Sequence, residues 1–257
     1  MKLILHAGPP KTGTTALQRA LFNARESLLD KSVLYPDPVV GGEYNHGRLC
    51  YIFLPFSIAP RGMRKLGEAD YLKAGRVLQE QVVSQTKEHS PGVLILSSEW
   101  FAQAYHAKNA VKFIEFAESL GPTSIEILLY ARRPSEYFLS SSQQRLRASS
   151  RFEPIFDWNM SGVVDGLRAL APQHTVTLRA FDRPALVGGS IVSDFAAHCI
   201  PECKNVLDQS QTPRGSNESF SAEAMVILQD FRRTHFAGQE DIFSVHSGTL
   251  LKKLQKI

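Results

Sequence analysis

Residues Gly8-Pro9-Pro10-Lys11-Thr12-Gly13-Thr14-Thr15 constrain the fold of this chain more than any other stretch. The apolar run Lys2-Leu3-Ile4-Leu5-His6 precedes them and reads as a short buried strand, and Leu17, Ala20, Leu21, Ala24 and Leu28 follow at helical spacing. Strand, glycine loop and helix in that order make an anion-binding turn. The glycines let the backbone bend tightly, and the helix start points its N–H groups and positive dipole end at one spot. In the nucleotide-triphosphatase pattern a lysine follows the second glycine. Here Thr14 stands there, and the lysine of the loop is Lys11, two residues before Gly13. Such a loop suits a 5′-phosphate, with its cation offset toward a group beyond that phosphate. The alternative is an ordinary glycine turn between a strand and a helix.

Further along, Ser32-Val33-Leu34-Tyr35 reads as a second short strand. From about residue 41 to 67, Gly and Pro are mixed with aromatics, which suits a segment lining a site. Tyr71, Ala74, Leu78 and Val82 mark a helix. The continuous apolar run Val93-Leu94-Ile95-Leu96 predicts a central parallel strand and stops at Ser97-Ser98-Glu99-Trp100. Ligands of open α/β sheets sit beyond the carboxyl ends of the strands, so Glu99 is expected in the same crevice as the loop. A helix through Phe113, Phe116 and Ala117 leads to a strand over 125–130, then to Arg132-Arg133 and to Pro134, which pre-sets a helical turn. Thr175-Val176-Thr177-Leu178 alternates as a last strand, and Ser221 reads as the cap of a helix through Ala224, Ile227, Leu228 and Phe231. Alternating strands and helices predict an α/β fold with a mostly parallel sheet.

With 257 residues, 43% of them hydrophobic and 21% charged, the chain has enough material for one sizeable core, and a single domain over 1–257 is expected. A net charge of +4 fits polyanionic small molecules as well as nucleic acid. The basic residues form no run with interleaved aromatics, which argues against a nucleic-acid binder. Cys50, Cys199 and Cys203 make no even disulfide framework and have no zinc spacing, so reduced thiols and a cytoplasmic setting are expected. No apolar run approaches the roughly 18 residues of a membrane span, and Leu3 to Leu5 is too short for a signal-peptide core.

Pro10-Lys11-Thr12-Gly13-Thr14-Thr15 resembles the 5′-phosphosulfate loop of sulfotransferases that use 3′-phosphoadenosine-5′-phosphosulfate (PAPS). The strand running into Arg132, with Ser140 eight residues later, resembles the 3′-phosphate element of the same family, and the order of elements is most similar to its bacterial, soluble branch. The resemblance implies a P-loop kinase-like three-layer α/β/α sandwich. It also implies PAPS as co-substrate, no metal, and a hydroxyl or amine of a carbohydrate or other small molecule as acceptor. The backbone from Thr12 to Thr15, with the hydroxyls of Thr14 and Thr15, would hold the 5′-phosphate. Lys11 would stand at the bridging oxygen where charge grows, and Arg132 and Ser140 would bind the 3′-phosphate. Arg214, ahead of Gly215-Ser216-Asn217, resembles a later element that closes over the nucleotide.

Two residues are candidates for the general base. His46 follows the second strand, where some members place a histidine, and its ordinary pKa near 6.5 suits proton abstraction at neutral pH, so it is preferred. Glu99 resembles the carboxylate base of other branches. Arg132 or Arg133 would alternatively pair with Glu136, and His6 reads as a core histidine. Two other functions stay open: a P-loop nucleotide kinase or NTPase with a variant loop, weakened by the missing lysine after Gly13, and a noncatalytic module that binds PAPS or a glycan.

Overall fold

The computed structural model describes residues 1–38, 43–59, 64–65, 67–104, 110–152, 160–211, 220–240 and 242–254. Its five strands, β1 (Lys2–His6), β2 (Val33–Leu34), β3 (Val93–Ser97), β4 (Ser124–Ala131) and β5 (Thr175–Ala180), form one sheet in the order β2-β3-β1-β4-β5. Every neighbouring pair is parallel, with Ile4 of the central strand opposite Ile95 and Glu126. A strand buried on both faces has no polar side to show, which is why β1 and β3 read as unbroken apolar runs. The period of two still divides them. Leu3, Leu5, Leu94, Leu96, Ile127 and Leu129 pack on one face, and Ile4, Ile95, Leu128 and Tyr130 on the other.

The helices cover both faces. α1 (Thr14–Leu29) puts Leu17, Leu21, Ala24 and Leu28 on the second face. α2 (Glu68–His89) brings Leu78 and Val82 to the first, beside the short α3 (Phe101–Ala104) and α4 (Ala110–Ser119) with Phe113 and Phe116. α5 (Pro134–Leu146) follows β4, and α6 (Met160–Leu170) adds Val163 and Leu167 to the first face. α7 (Ile191–Cys199) and α8 (Lys204–Gln209) complete the second face with Val192, Phe195 and Leu207. The architecture is a P-loop-like three-layer α/β/α sandwich with an all-parallel sheet; the alternation of elements predicts the parallel α/β sheet, and the resemblance implies the sandwich.

Packing divides the chain into two compact units, Met1–Ala131 with Asn159–Thr212, and Arg132–Trp158 with Pro213–Ile257. The first holds the sheet. The second is built on α5, α9 (Ala222–His235) and α10 (Val245–Leu254), around Leu146, Phe220, Met225, Leu228 and Leu251. Ser221 does cap α9: its hydroxyl accepts the Ala224 N–H at 3.2 Å. Inside this unit Arg232 is wholly buried, and its guanidinium donates to the carbonyls of Ala148, Gln239 and Ile242 at 2.6, 2.7 and 3.1 Å and to the Ser247 hydroxyl at 3.3 Å.

Two local expectations change. β2 is only Val33–Leu34, the two residues that pair with β3; Tyr35 follows it, and its hydroxyl donates to the Tyr44 carbonyl at 2.6 Å. The segment expected to line a site over 41–67 is partly core. Gly47–Ile52 forms a 3₁₀ helix, and Leu49, Cys50, Phe53 and Leu54 are buried on the first face. Gly75 of α2 makes this approach possible, since a Cβ there would lie 3.0 Å from Ile52 and 3.1 Å from the Arg48 carbonyl. Residues 41–42, 60–63 and 66 of that segment, and Arg214 with its neighbours 215–217, lie outside the described residues.

Candidate functional site

The glycine loop leaves the end of β1 and stays tied to the sheet: the Ala7 N–H donates to the Leu128 carbonyl at 2.9 Å, and the Tyr130 N–H to the Gly8 carbonyl at 3.2 Å. Three residues turn the chain through positive φ, Gly8 at 68°, Lys11 at 67° and Gly13 at 77°. Thr12 is fully buried, and its hydroxyl closes the turn on the Pro9 carbonyl at 2.6 Å. The Gly13 carbonyl accepts the first α1 bonds, from Ala16 and Leu17 at 3.0 and 3.2 Å. The Thr14 and Thr15 N–H groups at the start of α1 have no partner within the helix, and no acidic residue occupies that turn to compete for them.

Gly13 answers a steric demand as well as a conformational one. A Cβ there would fall 2.9 Å from the Phe181 ring and 3.1 Å from Ile191. A buried carboxylate, outside the residues singled out from the sequence, ties the helix that Ile191 opens to β5, which ends just before Phe181. Asp194, wholly buried on α7, accepts from Arg179 Nε at 2.6 Å, Arg179 Nη2 at 2.9 Å, Tyr130 Oη at 2.9 Å and the Val187 N–H at 3.0 Å. Burial alone would raise its pKa, but the Arg179 guanidinium and the other donors outweigh burial and hold the carboxyl below its ordinary range. One acidic residue inside Ile191-Val192-Ser193-Asp194-Phe195-Ala196 was the available signal.

Glu99 lies where the strand-end rule puts it. It stands two residues beyond β3, half-buried, and accepts a hydrogen bond from the Thr14 hydroxyl at Oε1. Gly8 passes so close that a Cβ would come within 2.9 Å of the Glu99 Cα. Lys11, Thr14 and Glu99 are thus gathered on one loop and one strand end. Thr15 is exposed in the first turn of α1.

His46 is in a different condition from the one its sequence position suggests. It is fully buried, Nδ1 accepts the Ser97 N–H at 3.0 Å, and Nε2 donates to the Pro36 carbonyl at 2.9 Å. Its own N–H donates to the Ser97 carbonyl at 2.9 Å. Burial lowers its pKa to about 4 despite these backbone contacts. With both ring nitrogens engaged it has no lone pair to take a substrate proton, and its evident work is to pin residues 44–47 to the end of β3. Ser97 is the hub of this arrangement. Its hydroxyl also meets His6 Nδ1 at 2.7 Å and receives Gln18 Nε2 at 3.2 Å. His6 is buried with Nε2 unpartnered, and burial lowers its pKa to about 3, so it is a core histidine only half satisfied.

Arg132 and Ser140 belong to the second unit, on and just before α5, both half-buried. Arg132 Nε donates to Glu136 Oε2 at 3.3 Å, the pairing foreseen as the alternative to a phosphate ligand.

No family model matches the chain, and no curated protein does. A solved structure from the PezAT chromosomal toxin–antitoxin system of Streptococcus pneumoniae aligns over 91% of this chain and 86% of its own. Its identity is 14% and its TM-score 0.39. A likeness that distant carries no functional argument. No described helix is long and apolar enough to cross a membrane.

Proposed function

We propose that the chain is a PAPS-dependent sulfotransferase acting on a hydroxyl or amine of a carbohydrate or other small acceptor. The observation that carries this reading is the composition of the loop: its lysine is Lys11, inside the turn and at positive φ, and its far side meets the Glu99 carboxylate through Thr14. PAPS supplies a sulfuryl group, whose bond to the 5′-phosphate oxygen breaks as a bond from sulfur to the acceptor oxygen or nitrogen forms. The first-turn N–H groups of α1 and the Thr15 hydroxyl hold the 5′-phosphate. Lys11 stabilises the charge left on the departing phosphate oxygen. Glu99 takes the acceptor proton, in place of His46, whose ring nitrogens are both occupied. Arg132 and Ser140 are assigned to the 3′-phosphate on sequence resemblance alone. Buried free thiols at Cys50, Cys199 and Cys203 suit a reducing cytoplasm.

Thr14 beside Glu99 favours a second reading. A hydroxyl and a carboxylate at the start of the loop helix are also the donors a P-loop phosphotransferase offers to Mg²⁺. The deciding experiment follows release of 3′,5′-ADP from PAPS over a panel of sugar and amine acceptors in EDTA. Sulfuryl transfer predicts turnover without metal, falling about 10²-fold to 10³-fold in Lys11→Ala and about 10²-fold or more in Glu99→Gln. Activity that appears only with Mg²⁺ and ATP would overturn it.

A further inference from the structure

Arg19 occupies an unusual position on the face of α1 that continues the phosphate loop. Thr15, Arg19 and Phe22 follow one another at spacings of four and three, so they share a stripe, and Arg19 stands one turn, about 6 Å, along the axis from Thr15. Its guanidinium is stacked over the Tyr44 ring, with Cζ 5.2 Å from the centroid, and Phe22 supports the same ring edge-on at 5.3 Å. Arg19 itself is exposed, and among the described residues no carboxylate pairs with it.

The platform is rigid for reasons that lie beneath it. The Tyr44 carbonyl receives the Tyr35 hydroxyl at 2.6 Å, and the next residues are pinned to β3 by the reciprocal His46 and Ser97 bonds. On the other side Glu43 holds Arg48 through two bonds, at 2.9 and 3.0 Å. The same β3 end carries Glu99. A guanidinium stacked on an aromatic keeps its N–H edge for a planar anion, and a site works best when its neighbours fix it in place. Arg19 lies one helical turn from Thr15, and Tyr44 lies two residues before His46, which is bonded to Ser97 at the β3 end that leads into Glu99, the carboxylate assigned as base.

We infer that Arg19, seated on Tyr44, binds an acidic group of the acceptor, so that the acceptor carries a carboxylate or phosphate as well as the hydroxyl or amine that is sulfated. The inference rests on the sulfuryl-transfer reading of the site. Its test uses the full chain saturated with 3′,5′-ADP, into which glucuronate, glucose 6-phosphate and glucose are titrated while the arginine Nε–Hε and the backbone resonances of residues 43–48 are followed by NMR. One or both acids should bind at least about tenfold more tightly than glucose and shift the Arg19 signal. Arg19→Ala should remove that preference by about tenfold, the usual worth of a charge-assisted hydrogen bond. Acids that bind no better than glucose, or a preference that survives Arg19→Ala, would overturn the subsite while leaving the nucleotide reading intact. A wild-type chain that does not bind 3′,5′-ADP would overturn both.

Discussion

Gly13 shows how closely a single residue is determined here. It combines a φ of 77°, which an L side chain adopts only under strain, with 2.9 Å to the Phe181 ring from any added Cβ. Gly13→Ala should therefore cost about 2 to 4 kcal/mol, from strain and overpacking together, read as a lowered denaturation midpoint with an unchanged m-value. A cost under about 0.5 kcal/mol would mean that the loop relaxes freely. The glycine was legible in the sequence as loop punctuation, and Phe181 as the thing it makes room for was not. The same limit applies to the environment of His46. His46 was preferred because an ordinary imidazole titrates near neutrality, but burial and two backbone partners decide its state, and neither is visible in a string of residues. The place of Glu99 just beyond β3 is legible because a strand-end rule depends only on order along the chain.

At the scale of elements, what the sequence showed best was what period and capping encode. β1, α1, β3 and the start of α9 fall where apolar spacing and Ser221 place them, since these signals are local. β2 is shorter than its apolar run suggests, since only Val33 and Leu34 pair with β3, and the 3₁₀ helix at Gly47–Ile52 was hidden because its burial depends on Gly75 in a later helix. Arg232 illustrates the same distance problem. On α9 it follows Leu228 by four residues on the apolar stripe, yet it gathers three carbonyls and a hydroxyl from segments on either side in sequence. Arg232→Met should destabilise the second unit by about 3 kcal/mol or more, because the buried carbonyls lose their donors. Hydrogen exchange in α9 and α10 should rise while β1 and β3 stay protected. Unchanged protection in α9 would contradict the role given to this residue.

For the molecule as a whole, the buried histidines His6 and His46 make stability depend on pH in a defined direction. Both take up protons less readily in the fold than in the unfolded chain, His46 at about 4 and His6 at about 3 against 6.5. The unfolded state therefore binds more protons between these values and 6.5. Stability is complete above about 6.5 and falls as pH drops toward 4 and below, by on the order of 3 kcal/mol for His46. Urea midpoints should decline through that window, and His46→Gln should flatten the slope. A flat profile from pH 7 to 4 in the wild-type chain would contradict the buried neutral state. The all-parallel order β2-β3-β1-β4-β5 sets these histidines, the loop and Glu99 at one end of the sheet, the end that carries the functional proposal. Its most direct test is a calorimetric titration with 3′,5′-ADP and with ATP, each in EDTA and in Mg²⁺. The account predicts that the bisphosphate binds equally with and without metal and is weakened about tenfold by Arg132→Ala. Binding of ATP that requires Mg²⁺, with 3′,5′-ADP ignored, would contradict it.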